Sequence, residues 1–264
     1  MDNSDKAWER LAALDPYHAV LTSEAFRREN LTGPALTRFF ESGERHVEWI
    51  LQNIRKRVDP EFSPRSALDF GCGVGRILIP LARNCERVVG VDVSQRMIEE
   101  ARSHLRARAI TNVELVQSDD ELRRVEGTFD LVHSFVVLQH IAVSRGERIF
   151  RRLFEKLNDD GVGAIHLTFR NQEPLASRLS RAIKKNVPLA RGVANLMRGR
   201  AVGHPMMQMN DYSLNRIMSL LAGAGATDAF AEFTDHGGHL GAMIYFQRRA
   251  ANRSSAIDHP LKGW

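Results

Sequence analysis

The residues with the clearest chemical signature form a glycine-rich turn at the end of an apolar run. The segment Asp69-Phe70-Gly71-Cys72-Gly73-Val74-Gly75 places three glycines at alternate positions after a carboxylate. Because glycine lacks a Cβ atom, such a turn lets the backbone approach a ligand closely. Its Asp-x-Gly-x-Gly-x-Gly spacing differs from the Gly-x-Gly-x-x-Gly of dinucleotide sites. The pattern predicts a ligand-binding loop and argues against a nicotinamide cofactor, the alternative being a tight strand-to-helix turn.

Three histidines are candidates for proton transfer or substrate contact. His140 follows the fourth predicted strand, at the carboxyl edge where open α/β sheets bind ligands, and is the first candidate for a general base. The alternative for His140 is a packing role at the start of the next helix. His236 and His239 flank a Gly-Gly turn and are expected to reach the same pocket, unless they are exposed hairpin histidines. His236 is the second candidate catalytic residue.

An alternation of short apolar runs and amphipathic stretches must position these residues. The pattern predicts strands near 66–70, 87–91, 112–117, 129–134 and 162–169, and helices near 75–84, 94–107 and 144–157. Such alternation is typical of a parallel sheet covered by helices on both faces. A helix over 211–222 and two strands, 227–234 and 240–248, then predict a closing antiparallel hairpin. The third crossover, around 121–125, is too short to predict a helix.

Residues 66–170 resemble the class I S-adenosylmethionine-dependent methyltransferases in element order and glycine turn, and the closing hairpin matches that family. The resemblance implies a Rossmann-like α/β fold, S-adenosylmethionine as cofactor and S-adenosylhomocysteine as product. No metal is expected. The resemblance also implies a set of cofactor-binding residues: Asp69, Gly71, Cys72, Gly73, Gly75, Asp92, Val93, Ser118, Asp119 and Ser134.

Individual roles can be assigned to three carboxylates of this set. Asp92 ends an apolar strand about 20 residues after the turn, where a carboxylate can accept both ribose hydroxyls. Its alternative is a helix N-cap, which Ser94 could fill equally well. The family counterpart of Asp119 accepts a hydrogen bond from the adenine amino group; the alternative is a solvated acidic turn. Asp69 is expected to contact the methionine amino group, directly or through water, or else to be a simple strand-end carboxylate.

The chain divides into three predicted regions. Residues 1–64 form an N-terminal helical cap, 65–248 the methyltransferase core including a helical insertion over 171–209, and 249–264 a polar tail. The resemblance implies that the cap and insertion build the substrate chamber. The candidate lining residues, each with a core position as its alternative, are Tyr17, His18, Phe39, Phe40, Met206, Met207, Gln208 and Tyr212.

The composition of the chain bears on the cellular compartment in which the protein is expected. The 264 residues contain two cysteines, too few for a disulfide framework, which favours a reducing compartment. No apolar run approaches the roughly 20 residues needed to span a bilayer, and the start of the chain lacks a secretory signal. We therefore expect a cytoplasmic protein. Much of the formal net charge of +5 comes from a basic stretch over 170–203.

The leading functional hypothesis is in-line transfer of a methyl group to the oxygen or nitrogen of a small molecule. An alternative is a lipid-like substrate at a membrane surface, reached through the basic stretch. RNA methylation is less favoured because no RNA-binding module is recognisable, and no DNA binding is expected. A non-catalytic cofactor-binding scaffold is a further alternative. The attacked atom and the oligomeric state stay open.

Overall fold

A mixed sheet of seven strands organises the part of the chain that the structure describes, residues 3–172 and 207–248 of a computed structural model. The strands are β1 (Ser66–Phe70), β2 (Arg87–Asp92), β3 (Val113–Gln117), β4 (Phe129–Ser134), β5 (Leu157–Asn171), β6 (Ala226–Asp235) and β7 (His239–Arg248). Their order is β3-β2-β1-β4-β5-β7-β6. Strands β1 to β5 pair in parallel, whereas β7 runs antiparallel to both β5 and β6.

Helices cover both faces of this sheet and extend in front of it. They are α1 (Asn3–Leu14), α2 (Pro16–Val20), α3 (Gly33–Arg57), α4 (Leu78–Asn84), α5 (Gln95–Ala107), α6 (Val143–Glu155) and α7 (Leu214–Ala224). Single 3₁₀ turns lie at Glu24–Phe26 and Leu138–His140. Side-chain caps fix several starting points, because Thr32, Ser94 and Ser213 each accept a hydrogen bond from a backbone N–H three residues on.

The predicted element order and the closing hairpin are confirmed, while several boundaries differ. Helix α4 begins at Leu78 instead of near 75, because the glycine turn occupies the preceding residues. Strand β5 starts at Leu157, where the helix was predicted to end, and runs for 15 residues. The crossover between β3 and β4 is built from turns. Of the predicted insertion, only 171–172 and 207–209 are described, and the tail over 249–264 lies outside the described residues.

The two-residue period of the central strands decides what each face of the sheet carries. Leu68 and Val132 point to one face and join a core formed with α6 and α7. Their neighbours Ala67 and Leu131 point to the other face and join a core formed with α3 and α4. Asp69 shares the second face with Ala67, since it lies two residues further along β1. The α3 side of the sheet therefore also receives a charged group.

Helix α5 ends in a turn that an alanine fills at a conformational cost. Ala109 has a φ of 52°, in the left-handed region, and its side chain is exposed. The backbone N–H groups of Ala109 and Ile110 donate to the carbonyls of Arg106 and Leu105, which closes the helix. Glycine is the residue that usually occupies such a position, because it has no Cβ atom to clash.

We predict that Ala109→Gly raises the free energy of unfolding by about 0.5–1 kcal/mol, since relief of the left-handed strain exceeds the added chain entropy. The matched control is Ala107→Gly, which lies within α5, is equally exposed and should lower the free energy of unfolding by up to about 1 kcal/mol. Urea denaturation of both variants measures the two changes. A loss of stability in both would contradict the prediction.

Candidate active site

A cavity of about 590 Å³ opens at the carboxyl ends of β1, β2 and β4. Its wall is formed by the start of α1, the glycine turn, the end of β2, the loop after β4 and the turn between β6 and β7. In open α/β sheets, this edge is where ligands bind. Seven of the ten residues predicted to bind the cofactor line the cavity, whereas Gly75, Asp119 and Ser134 do not.

The glycine turn is packed so closely against neighbouring side chains that a Cβ atom would not fit at its first two glycines. A Cβ atom on Gly71, which has a φ of +78°, would lie 2.3 Å from Cγ2 of Val137. A Cβ atom on Gly73 would lie 2.8 Å from Cγ2 of Val20. Gly75 instead lies against Ala101 of α5, so the third glycine serves helix packing. Only glycine therefore fits at positions 71 and 73, which line the cavity.

Asp92 connects the glycine turn to the start of α5. Its Oδ2 accepts a hydrogen bond from the backbone N–H of Gly73 at 2.9 Å, and its Oδ1 accepts one from Ser94 at 2.8 Å. Burial raises the pKa of Asp92 to about 6, although these backbone N–H groups oppose the rise. The hydroxyl of Ser94 caps α5, as Met97 donates to it at 3.2 Å. The cap role is thus filled, and Asp92 faces the cavity.

Two oppositely charged side chains line the cavity beside the glycine turn, and each has an atom without a partner. Asp69 is buried, and its Oδ1 lies 2.8 Å from Nδ1 of His133, while its Oδ2 has no hydrogen-bond partner among the described residues. Arg76 is also buried; its Nη1 donates to Ser42 at 3.2 Å, and its Nε is unpartnered within the described chain. Burial lowers the pKa of Arg76 to about 10, so the guanidinium stays charged at neutral pH.

In the acidic segment after β3, the carboxylate that lines the cavity is Asp120, one position after the predicted Asp119. Ser118 lines the cavity, but Asp119 turns away and accepts a hydrogen bond from the backbone N–H of Arg123 at 3.0 Å. The adjacent Asp120 lines the cavity and binds Arg145 through two hydrogen bonds of 2.7 and 2.6 Å. Arg145 also donates to Asp5 of α1 at 2.7 Å. These contacts attach the N-terminal helix to the core.

His140 lies in the cavity wall and has a defined tautomer. Its Nδ1 lies 2.7 Å from the carbonyl oxygen of Gln208, which can only accept, so Nδ1 carries the proton. The Nε2 atom then holds a lone pair and has no hydrogen-bond partner among the described residues. Burial lowers the pKa of His140, which keeps the ring neutral. The indole of Trp8 packs edge-on against this ring at a centroid distance of 5.0 Å.

The remaining predicted residues divide between the cavity and the core. His236 and His239 line the cavity, and burial lowers the pKa of His236. The hydroxyl of Ser134 donates to the carbonyl of Phe70 at 3.0 Å, inside the fold. Among the chamber candidates, Met207 lines the cavity, and Gln208 contributes its carbonyl to His140. Others pack or bond elsewhere, namely Tyr17, His18, Phe39, Phe40 and Tyr212, while Met206 lies outside the described residues.

Several polar or aromatic residues of the cavity wall were missed by the sequence analysis, and four of them bear on the chemistry of the site. They are Trp8, Arg76, His133 and Gln139. His133 carried a signal, because it is a polar residue within an apolar strand and shares its face of β4 with Leu131. Gln139 is buried, and its Oε1 has no hydrogen-bond partner among the described residues.

Within residues 3–172 and 207–248, no helix is long and apolar enough to cross a membrane.

Comparison with known proteins identifies the central segment. Residues 67–161 match the family model of a methyltransferase domain. A carboxy-S-adenosyl-L-methionine synthase from Idiomarina loihiensis is 27% identical over 154 residues, covering 56% of this chain and 63% of the relative. A ubiquinone biosynthesis O-methyltransferase from Rhizobium etli is 36% identical over 75 residues, covering 28% of this chain and 30% of the relative. The chain thus spans less than two thirds of the length of these relatives.

Solved structures share the fold at low sequence identity. Magnesium protoporphyrin IX methyltransferase from Synechocystis, with bound S-adenosylmethionine, has a TM-score of 0.57 and 16% identity, covering 94% of this chain and 98% of that chain. The N-methyltransferase NodS from Bradyrhizobium japonicum, in complex with S-adenosylhomocysteine, has a TM-score of 0.55 and 16% identity, covering 94% and 100%. Residues 67–161 thus match a methyltransferase domain, and the strand order with its antiparallel closing strands gives the described chain the fold of these solved methyltransferases.

Proposed function

We propose that the protein transfers the methyl group of S-adenosylmethionine to a hydroxyl group of a small molecule. The observation that carries this proposal is the pair of unpartnered, oppositely charged atoms, Oδ2 of Asp69 and Nε of Arg76, on side chains that line one cavity. Buried charges are costly unless they are paired, so such a pair indicates a ligand with complementary charges. An α-amino acid zwitterion has this character.

The residues present fit S-adenosylmethionine along its length. Asp69 would bind the ammonium group of the methionine part, and Arg76 would bind its carboxylate, while Gly71 and Gly73 allow the chain to pass close to the backbone. Asp92 keeps acceptor capacity for the ribose hydroxyls, since each of its oxygens accepts one backbone bond. The apolar side chains of Val93 and Met97 also line the cavity and would contact the adenine ring.

The adenine amino group needs an acceptor further along the same wall. Ser118 and Asp120 line the cavity there, so we assign this contact to these two residues. Asp119 was predicted for this role and stays a prediction, although its carboxylate faces Arg123. A carboxylate already held by Arg145 still has lone pairs available for a further donor.

The chemical step requires the donor and acceptor to be held in line. When bound, S-adenosylmethionine supplies a methyl group on a positively charged sulfur. The loop after β4, with Phe135 and Val137 in the cavity wall, would hold the acceptor close to that sulfur. His140 would take the hydroxyl proton on Nε2, because Gln208 already fixes the proton of the neutral ring on Nδ1.

The wall on the acceptor side favours an apolar or aromatic compound. Phe135, Met207, Met209 and the imidazoles of His140 and His236 form the described part of this side. A hydroxyl needs a base before it attacks, whereas a neutral amine does not. Because His140 offers such a base, transfer to oxygen is favoured over transfer to nitrogen. The O-methyltransferase among the relatives supports the same choice. The lipid-like and RNA alternatives depend on the basic stretch over 170–203, most of which lies outside the described residues.

We predict that Asp92→Asn weakens binding of S-adenosylhomocysteine about 10- to 100-fold, because an amide offers only one oxygen to the ribose hydroxyls and carries no charge. Isothermal titration calorimetry measures the dissociation constant. The matched control is Glu114→Gln, the corresponding exchange of a carboxylate for an amide at an exposed residue of β3 outside the cavity wall. Failure of the unaltered protein to bind S-adenosylhomocysteine would refute the proposed function.

The raised pKa of Asp92 gives this binding a pH dependence. The ionised carboxylate accepts the ribose hydroxyls, so a proton on Asp92 competes with the ligand below about pH 6. We expect a constant dissociation constant above about pH 7 and a rise of up to about tenfold for each unit below pH 6. In Asp92→Asn, binding should be weak and this rise should be absent. An equal pH dependence in both proteins would assign the effect to another group.

His140→Gln should lower kcat about 100-fold while leaving the affinity for S-adenosylhomocysteine within about twofold, since removal of a general base affects only the chemical step. The assay follows transfer from methyl-labelled S-adenosylmethionine to a panel of ring-hydroxyl compounds and matched amines. His18→Gln is the control, because His18 lies outside the cavity and bonds the carbonyl of Ser23. Methylation of the amines alone, with no effect of His140→Gln, would exclude the hydroxyl assignment.

A further inference from the structure

A chain of two histidines extends from the carboxylate of Asp69 in the cavity wall into α3. Nδ1 of His133 lies 2.8 Å from Oδ1 of Asp69, and Nε2 of His133 lies 2.9 Å from Nε2 of His46. Asp69 and His133 are direct neighbours in the parallel register of β1 and β4. Both point to the face of the sheet that α3 covers, since they lie two residues after Ala67 and Leu131. The contact therefore joins three separate elements.

The chemistry of the three groups gives this chain one direction. An ionised carboxylate can only accept, so Nδ1 of His133 donates to Asp69. In neutral His133, Nε2 then carries a lone pair, and Nε2 of His46 must donate to it. Burial, together with the positive charges of nearby Arg76 and of any protonated His133 or His166, lowers the pKa of His46 and keeps that ring neutral. The carboxylate and the N–H donated by His46 thus select the same tautomer of His133.

The consequence for Asp69 is a fixed orientation. Oδ1 is occupied by His133, which leaves Oδ2 as the atom available to a ligand. Arg76 is the nearby cation, but it lies beyond 4 Å from every carboxylate oxygen of the described chain, so it does not compete for Asp69. The ring of Phe135 packs on His46 at a centroid distance of 4.2 Å and holds the second histidine in place.

We infer that His133 is a positioning residue for Asp69, and that His46 fixes the tautomer in which His133 can donate. Together they hold Oδ2 of Asp69 towards the ammonium group of the amino-acid part of the cofactor. The inference rests on the proposed function, because it concerns the same site. It adds two residues that do not contact the reacting atoms and act only through Asp69.

The test compares two ligands that share adenosine and a thioether. S-adenosylhomocysteine carries the amino acid, whereas 5′-methylthioadenosine does not. His133→Leu should weaken S-adenosylhomocysteine binding about tenfold, because a hydrogen bond to a charged group is lost. The same variant should leave the affinity for 5′-methylthioadenosine within about twofold. Calorimetry on both ligands, after thermal denaturation has verified folding, gives the comparison.

Two further variants separate positioning from packing. His133→Asn keeps an N–H group near the place of Nδ1 and should restore S-adenosylhomocysteine binding to within about threefold of the unaltered protein. Asp69→Asn combined with His133→Leu should bind no more weakly than Asp69→Asn alone, because the two residues act through one contact. His104→Gln is the matched control, as this histidine of α5 bonds the hydroxyl of Tyr17 instead of a carboxylate and lies outside the cavity wall; both affinities should stay unchanged.

The outcomes discriminate clearly. An equal loss of affinity for both ligands in His133→Leu would make His133 a packing residue and overturn the inference. Unchanged binding of S-adenosylhomocysteine in that variant would overturn it as well. If the unaltered protein bound 5′-methylthioadenosine but showed no preference for S-adenosylhomocysteine, Asp69 would have no role in amino-acid recognition. If it bound neither ligand, the proposed function itself would fail, and the inference with it.

Discussion

Strand β1 pairs with β2 on one side and with β4 on the other, so the strand order of the sheet reverses at this point. The crossovers on the two sides lead away from each other, which leaves a crevice at the carboxyl end of β1. The glycine turn, Asp92 and the loop after β4 meet there because each directly follows one of these strands. Moving any of these groups would require another strand order, so the sheet topology sets the location of the cavity.

The same pairing creates an electrostatic requirement at the cavity wall. Asp69 and His133 are register neighbours on a face that is otherwise apolar, and Arg76 lies buried beside them. Charged groups in such surroundings are tolerated when they are hydrogen-bonded and paired. One oxygen of Asp69 is bonded to a histidine, whereas the other oxygen and Nε of Arg76 have no hydrogen-bond partner among the described residues. A bound zwitterion would complete both pairs, so ligand binding should also stabilise the fold.

The sequence was sufficient for the parts of the site that are local in the chain. The glycine turn, the carboxylate at Asp92 and the alternation of strands and helices were predicted because each is encoded within a few residues. The contact between His133 and His46 spans 87 positions and depends on strand register and on how α3 lies over the sheet. Likewise, whether Asp119 or Asp120 enters the cavity depends on a single turn, which residue type alone does not determine.

The N-terminal helix α1 contacts both Arg145 and His140 at the cavity. Asp5 binds Arg145, whose other partner is Asp120 in the cavity wall. Trp8 packs on His140. The position of α1 is therefore coupled to groups proposed to bind adenine and to the proposed base.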